Sequence, residues 1–446
     1  MALAIMLISA PSPTPAETLR FDGTAPTEEK ADLPPPAPSP WRLRLDPAWA
    51  EAGVLGSSHR GTDAILTGRA VASAERPLRA RWELRLGARI DAAAQGGGGD
   101  DTRFARADAD YDETWLRYRA DDWRLTVGTQ TVLWGRVDEI PPTDRLSTKD
   151  LTRFALDEQT ERRRASLAVR WEGFQGPWKL DVALLPAFRP AELPARDSIW
   201  HPVDRTRGRI LGTSPNDLPP EQVRNARLGE ASTSGAGTGV RISREGRGAD
   251  YAATVQRVRH SQPYYRWRDD DPGSGTLEAA YPRTWVAGGD LAWVRGGWTW
   301  RLEGAWLSEV PVTRRPSPGA LRYDTVPGFD WVAGTEVFPG GRDLRVTAQL
   351  GGEHLLEADG VLDRKAAYYL TGEIEDLYLY NRLRARLRGV VGLDRHDLYL
   401  NPELAWIAAE PHEPYLGVHW FDGDEDSLGG FYRDRRMVVF GWRTRL

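Results

Sequence analysis

The sequence has no cysteine, only three methionines and, apart from Lys30, Lys149, Lys179 and Lys365, no lysine. Without cysteine there is no disulfide framework, no thiolate metal site and no cysteine nucleophile. Long apolar runs are missing too. The longest uncharged apolar stretch, Met1–Ala10, is far shorter than the ~20 residues a membrane helix needs. A mean hydropathy of −0.52 excludes a helical membrane bundle. Basic and acidic residues number 59 and 64, a net charge of −5, so nucleic acid is not an expected partner. What the chain has in excess is tryptophan, with 19 residues, and glycine, with 45.

Residues 1–16, MALAIMLISAPSPTPA, join a short apolar core to small residues and prolines, the pattern of a secretory signal segment whose basic start is missing. Residues 17–40 include LPPPAPSP, a Pro-rich periplasmic linker that stays extended. The folded part is expected to run from Trp41 to Leu446.

From Trp41 onward apolar and polar residues alternate with period two, the strand signal. Leu78, Ala80, Trp82, Leu84, Leu86, Ala88 and Ile90 share one face; Arg79, Arg81, Glu83, Arg85 and Arg89 share the other. Trp298, Trp300, Leu302 and Trp306 alternate with Thr299, Arg301 and Glu303 in the same way. Most such segments reach the ~9–11 residues of a tilted membrane strand. Short links are expected at Glu75–Pro77, Asp121–Asp122, Phe174–Gly176, Glu245–Gly248, Arg295–Gly296 and Pro339–Arg342. Long polar segments lie between them, among them 91–110, 134–163, 187–235 and 261–282. The pattern predicts an all-β fold, a transmembrane antiparallel β-barrel of 16–18 strands with short periplasmic turns and long extracellular loops. The count is eighteen if the weaker segments near 366–375 and 413–421 both pair. The apolar face would meet lipid and lipopolysaccharide. Trp82, Trp298, Trp300, Trp306, Trp331 and Trp442 are the candidates for an interfacial girdle, where an apolar ring with one N–H donor is at home.

Two segments resemble known families. MVVFGWRTRL places Val438, Phe440, Trp442, Thr444 and Leu446 on one face and resembles the terminal strand by which bacterial barrels are handed to the insertion machinery, although Leu446 stands where Phe or Trp is usual. Gly128–Arg153, GTQTVLWGRVDEIPPTDRLSTKDLTR, resembles a strand-WG-loop signature of porin-like proteobacterial outer-membrane barrels of undefined function. It is similar in pattern to alginate-export barrels and to barrels that accompany RND-type exporters. The resemblance implies an outer-membrane transport barrel of a Gram-negative bacterium, with an RND-type exporter as one candidate partner.

With the apolar face on lipid, the other face lines the lumen. Arg79, Arg81, Arg85, Arg89, Arg117, Arg124, Arg301, Arg345, Arg382, Arg384, Arg386 and Arg388, with Glu83, Glu303 and Glu336, are the lumen candidates. Two readings stay open: a mutually paired ladder that stiffens the wall, or an electropositive strip that favours anions. Arg382–Arg388 speaks for the second, since no acid interrupts that face in sequence. The segment 134–163, at the third outer connection, is the candidate constriction loop through Trp134, Gly135, Arg136, Asp138, Asp144, Arg145, Asp150 and Arg153. Within it Ser147–Glu161 fits a short helix, with Ser147 as N-cap and Asp150 three residues on. The insertion 187–235 reads as an outer loop or lid. No HExxH, GxSxG or phosphate-loop motif is present. Neither an enzyme nor a cofactor is expected, and the acidic runs Asp269–Asp271 and Asp422, Asp424 and Asp426 read as solvated turns. The function expected is a porin-like channel for a small solute, anionic if the arginine strip is unpaired. The alternative is a plugged barrel that works with an RND-type exporter or takes up a hydrophobic compound or lipid.

Overall fold

The computed structural model describes residues 41–444 except 99–102, 155, 159–160, 231–233, 247, 272–273, 318–319 and 342. The expected signal segment, the Pro-rich linker and Leu446 lie outside the described residues.

Alternation dominates because the chain builds one sheet that curls until its edges meet. The first strands are β1 (Arg42–His59), β2 (Thr62–Arg79), β3 (Trp82–Gly96) and β4, which breaks into Phe104–Tyr111 and Thr114–Arg119. Then come β5 (Trp123–Gln130), β6 (Ser166–Gln175), β7 (Trp178–Leu185), β8 (Gly237–Arg244) and β9 (Ala249–Arg259). β10 (Arg283–Arg295), β11 (Trp298–Ser317), β12 (Ala320–Val337), β13 (Arg345–Leu355) and β14 (Ala366–Tyr378) follow. The last four are β15 (Leu383–Gly392), β16 (Asp397–Trp406), β17 (His412–Gly423) and β18 (Met437–Thr444). The sheet has 19 segments, of which two are the halves of β4, so the barrel has eighteen strands. Both weak segments pair, as β14 and β17. β1 closes on β18 in antiparallel register from Ala48↔Thr444 to Leu55↔Met437.

The outside of this cylinder is apolar. On β18 Val438, Phe440 and Trp442 are exposed while Met437 and Val439 are buried; on β11 Trp298, Trp300, Leu302 and Trp306 are exposed while Glu303, Ala305 and Leu307 are buried. A sheet closed on itself that turns aliphatic and indole groups outward is a transmembrane barrel of the outer membrane. No helix among the described residues is long and apolar enough to cross a membrane. Trp82, Trp298, Trp300 and Trp442 are exposed near the short-turn ends of their strands, Trp306 stands higher on β11, and Trp331 on β12 is only half exposed.

Three local expectations are corrected. The first short turn is Ala80–Arg81, not Glu75–Pro77; Pro77 pairs with Glu83, and β2 has no β1 partner beyond Glu75, so a proline is tolerated beside the free edge. Arg79 and Arg81 therefore flank a turn, and Arg382 is exposed in the turn before β15. The segment 91–110 is mostly wall: Asp91–Gly96 extends β3 and pairs with Phe104–Asp110. Among the described residues of 147–161 there is no helix. Thr148–Lys149 pairs instead with Arg163–Arg164, and irregular chain lies between.

At the long-loop rim, residues 186–236 carry a small hairpin, Val203–Asp204 with Arg209–Ile210, and a short helix Pro220–Asn225. Arg227–Glu230 joins Ser274–Ala280 and Tyr264–Asp271 in a separate three-stranded sheet. Ile199 and Trp200 of this segment pack on Phe421, Phe431 and Tyr432, so the lid has its own core over the β16–β18 side. Burial of this kind stabilises at ~25 cal/mol per Å² of apolar surface removed from water.

Candidate functional site: a loop anchored inside the barrel

β5 ends at Gln130 and the chain re-enters the wall at Ser166. What lies between them is tied to strands around most of the circumference. Two residues make the turn inward possible. Gly135 has φ +133, and a Cβ there would stand 2.9 Å from a carboxylate oxygen of Glu303. A side chain would be strained and would collide with the anchor. Trp134, beside it, is buried; its indole N–H donates to Asp181 at 3.2 Å, and a Cβ on Gly239 would be 2.6 Å from the ring. The strand-WG-loop signature thus has a physical basis in this chain.

Glu303 is the first anchor. Its carboxylate accepts the backbone N–H of Arg136 (2.9 Å), Val137 (3.3 Å) and Thr143 (2.8 Å), and the Thr143 hydroxyl at 2.8 Å. Arg136 itself donates to Asp290 at 2.6 Å. Val132, Trp134 and Leu146 complete this flank by packing on Ala168, Ala183, Leu185, Val258, Val286 and Ala305 of the wall.

The second anchor is Asp150. One carboxylate oxygen meets Arg69 at 3.2 Å, Arg164 at 3.2 Å, and Arg89; the other accepts from the N–H and hydroxyl of Thr152. Burial raises the Asp150 pKa, but the guanidiniums of Arg69, Arg89 and Arg164 outweigh it and hold the group at about 2. Asp91 on β3 ion-pairs with the same three arginines. Asp144 is bonded to Arg163 at 2.9 Å. Arg153 pairs with Glu51 and stacks 4.5 Å over Trp49, and Glu158 pairs with Arg386.

The other flank faces β11–β15 and is unlike these. Asp138, Glu139, Arg145, Lys149 and Arg162 are only partly buried. Asp138 accepts from Gln349 at 2.8 Å and from Arg301 at 3.4 Å, Arg162 meets Glu139 at 2.9 Å, and Arg145 pairs with Asp330. Glu353 shares the interior face of β13 with Arg345 and Gln349, and is exposed.

The wall arginines are paired across strands. Arg85 bonds to Glu75 at 2.7 Å, Arg117 lies 3.5 Å from Glu83, and Arg124 meets Glu172. Arg301 lies 3.7 Å from Glu336, and Arg345 meets Glu373. In the row after Arg382 the acids absent from its own strand come from the next two strands: Arg386 meets Glu403 of β16 (3.0 Å) and Arg384 meets Glu413 of β17. Arg388 donates to the Leu156 carbonyl at 2.8 Å. The uninterrupted positive strip read from sequence is therefore not there. Arg69, Asp91 and Arg164 escaped notice, although the period-two face already put Arg69 inside. Among the described residues no three His, Asp or Glu side chains converge as a metal site.

A closed eighteen-strand cylinder with an ion-paired interior and a loop bonded into it is an outer-membrane barrel of the porin type. No family model matches the chain, and no curated protein matches it in sequence. Solved structures do share its fold. Acinetobacter baumannii OccAB1 aligns with a TM-score of 0.54 at 7% identity, over 91% of this chain and 96% of that one. Pseudomonas aeruginosa OccK8 (OprE) gives 0.53 at 8% identity over 91% and 98%. A BenF-like porin from Pseudomonas fluorescens Pf-5 gives 0.50 at 8% over 91% and 98%.

Proposed function

We propose that the chain is an outer-membrane channel for a small anionic solute, which passes between the unpacked flank of residues 134–163 and the wall β11–β15. The observation that supports it is water-exposed charge inside a closed cylinder: Glu353 is exposed, and Lys149 and Arg145 are partly so, while the other flank of the loop is packed. Arg345 and Arg384 border this route, with side chains 11% and 13% exposed. Each is held by glutamates on adjacent strands, and a carboxylate on the solute would exchange with these partners as it moves, keeping every guanidinium paired. Lipopolysaccharide around the aromatic rim and delivery of β18 to the insertion machinery belong to the same reading.

Reconstitution in planar bilayers tests it. A steady conductance is expected, with a reversal potential in a salt gradient displaced toward the anion. Replacing Arg345 and Arg384 by Gln together should lower the anion-to-cation permeability ratio several-fold. An unchanged ratio rejects the arginines' role, and a silent protein rejects the channel. The second reading is the plugged barrel, acting with an RND-type exporter or on a hydrophobic compound. It is favoured by the number of ion pairs that fix the loop. It predicts no conductance until an anchor such as Asp150 is removed.

A further inference from the structure

The barrel rim is uneven. β1 and β2 have 18 residues each and β3 has 15, whereas β5, β7 and β8 have 8. The upper half of β4, Phe104–Tyr111, pairs with β3 along its whole length but, among the described residues, with no strand on its other side. The cause is local: β5 leaves the wall after Gln130, and the Thr131 N–H donates to Glu113 at 3.0 Å as the chain turns inward. Eight tilted residues at ~3.3 Å each rise roughly 20 Å, short of the ~25 Å apolar band of such barrels. Ala105, Ala107 and Ala109 continue the outward face of β4 above that point without a charge, opposite Ala94, Ala92 and Ile90. The gap beside β4 therefore opens near the upper margin of the apolar band, about 20 Å above the short-turn ends, and continues toward the rim.

Behind the gap is a cavity of about 310 Å³. One side is apolar, formed by Ile65, Ala93, Phe104, Leu193, Pro194 and Trp200. The other side is charged. Arg164 and Arg189 converge on Asp110, and Arg189 stacks 4.6 Å over the ring of Tyr111 at the free edge of β4. Arg106 and Asp108 pair across the cavity wall with half-exposed side chains. The volume is at the small end of ligand pockets and corresponds to roughly ten water-sized groups. Arg164 is also held by Asp91 and Asp150, whereas Arg189 meets Asp110, which it shares with Arg164. An apolar wall with the Arg189 guanidinium at its mouth suits a ligand with a short apolar body and one anionic group.

We propose that this cavity is a lateral binding site for a small amphipathic carboxylate, which exchanges with the outer leaflet through the gap between β4 and β6. The site does not depend on the channel reading, because its walls are the lid, β1–β4 and the anchored side of the inserted loop, away from β11–β15.

Decanoate is the probe, titrated calorimetrically into the full chain in lipid nanodiscs, with decanol as the uncharged control. Saturable decanoate binding is expected. Ala93→Trp fills the cavity and should weaken binding at least tenfold while leaving bilayer conductance unchanged. Should that variant fold poorly, Arg189→Gln serves in its place: it should weaken decanoate about tenfold and leave decanol unaffected. Ala107→Trp, on the lipid side of the gap, should slow the exchange of decanoate several-fold at unchanged affinity. Absence of binding, or binding indifferent to both Ala93→Trp and Arg189→Gln, overturns the site. Exchange unaltered by Ala107→Trp overturns the lateral route.

Discussion

The two flanks of the inserted loop are made of the same residue types and do opposite things. Toward β2, β3 and β6–β10, and at Glu303 on the adjoining β11, charged groups are buried in multiple contacts: Asp150 serves three guanidiniums, and Glu303 four donors from the loop. Toward β11–β15, Asp138 and Arg145 have two partners each, and with Lys149 they keep contact with water. The difference lies in coordination number. A buried charge persists only when its partners saturate it, so the crowded flank fixes the loop. The sparse flank leaves lone pairs and guanidinium protons available to something that passes.

That contrast is most exposed to substitution at its anchor. Asp150→Ala leaves Arg69, Arg89 and Arg164 with Asp91 as their common acid, and the cost should be about 3–5 kcal/mol, as for a broken buried pair. Hydrogen exchange over residues 148–164 should rise steeply, and conductance should become larger and noisier. Asp138→Ala on the sparse flank should cost about 1 kcal/mol or less. Equal losses at the two positions would abolish the distinction. A smaller effect is expected at Gly135→Ala, where a strained backbone and the displaced Glu303 carboxylate together cost about 1–3 kcal/mol. Gly360 at the rim also has positive φ, +67, but a Cβ there meets nothing, so Gly360→Ala should lose less in a thermal melt.

Much of this wall was legible in sequence, and the places where it was not share a cause. Period two reports which side a residue faces and nothing about where a strand reverses. The two-residue turn at Ala80–Arg81 preserves parity, so Leu78 on β2 and Trp82 on β3 both point outward, and the alternation reads as one strand. The upper part of β3 reads as loop because Asp91–Gln95 sets three consecutive alanines between two polar residues and shows no alternation. The Trp134–Gly135 signature was visible, but its reason was not, since Glu303 and Asp181 come from distant strands. Likewise Asp150 fits a capping pattern locally, yet its oxygens belong to arginines from β2, β3 and the return of the loop. Charge pairing across strands is a property of register, which one strand's sequence does not contain.

The gentlest probe of the contrast is pH, which reaches the loop through two groups that titrate near neutrality. Burial, followed by the charges of Arg145 and Arg163, lowers Lys149 from 10.5 to about 7. Burial, followed by Asp157 and Glu158, raises Glu161 from 4.5 to about 7. As pH falls through 7, Lys149 gains a charge and Glu161 loses one, so the loop becomes more positive and anion preference should increase. The stability effects have opposite signs. Lys149 binds its proton more weakly when folded, so its contribution declines as pH drops from about 10 to about 7. Glu161 binds its proton more tightly when folded, so its contribution grows as pH drops from about 7 to about 4. Lys149→Met and Glu161→Gln should therefore both raise the melting temperature at neutral pH, and each should flatten the pH dependence of the reversal potential. If neither variant changes the pH profile, the loop's own charges do not set the field that a solute meets.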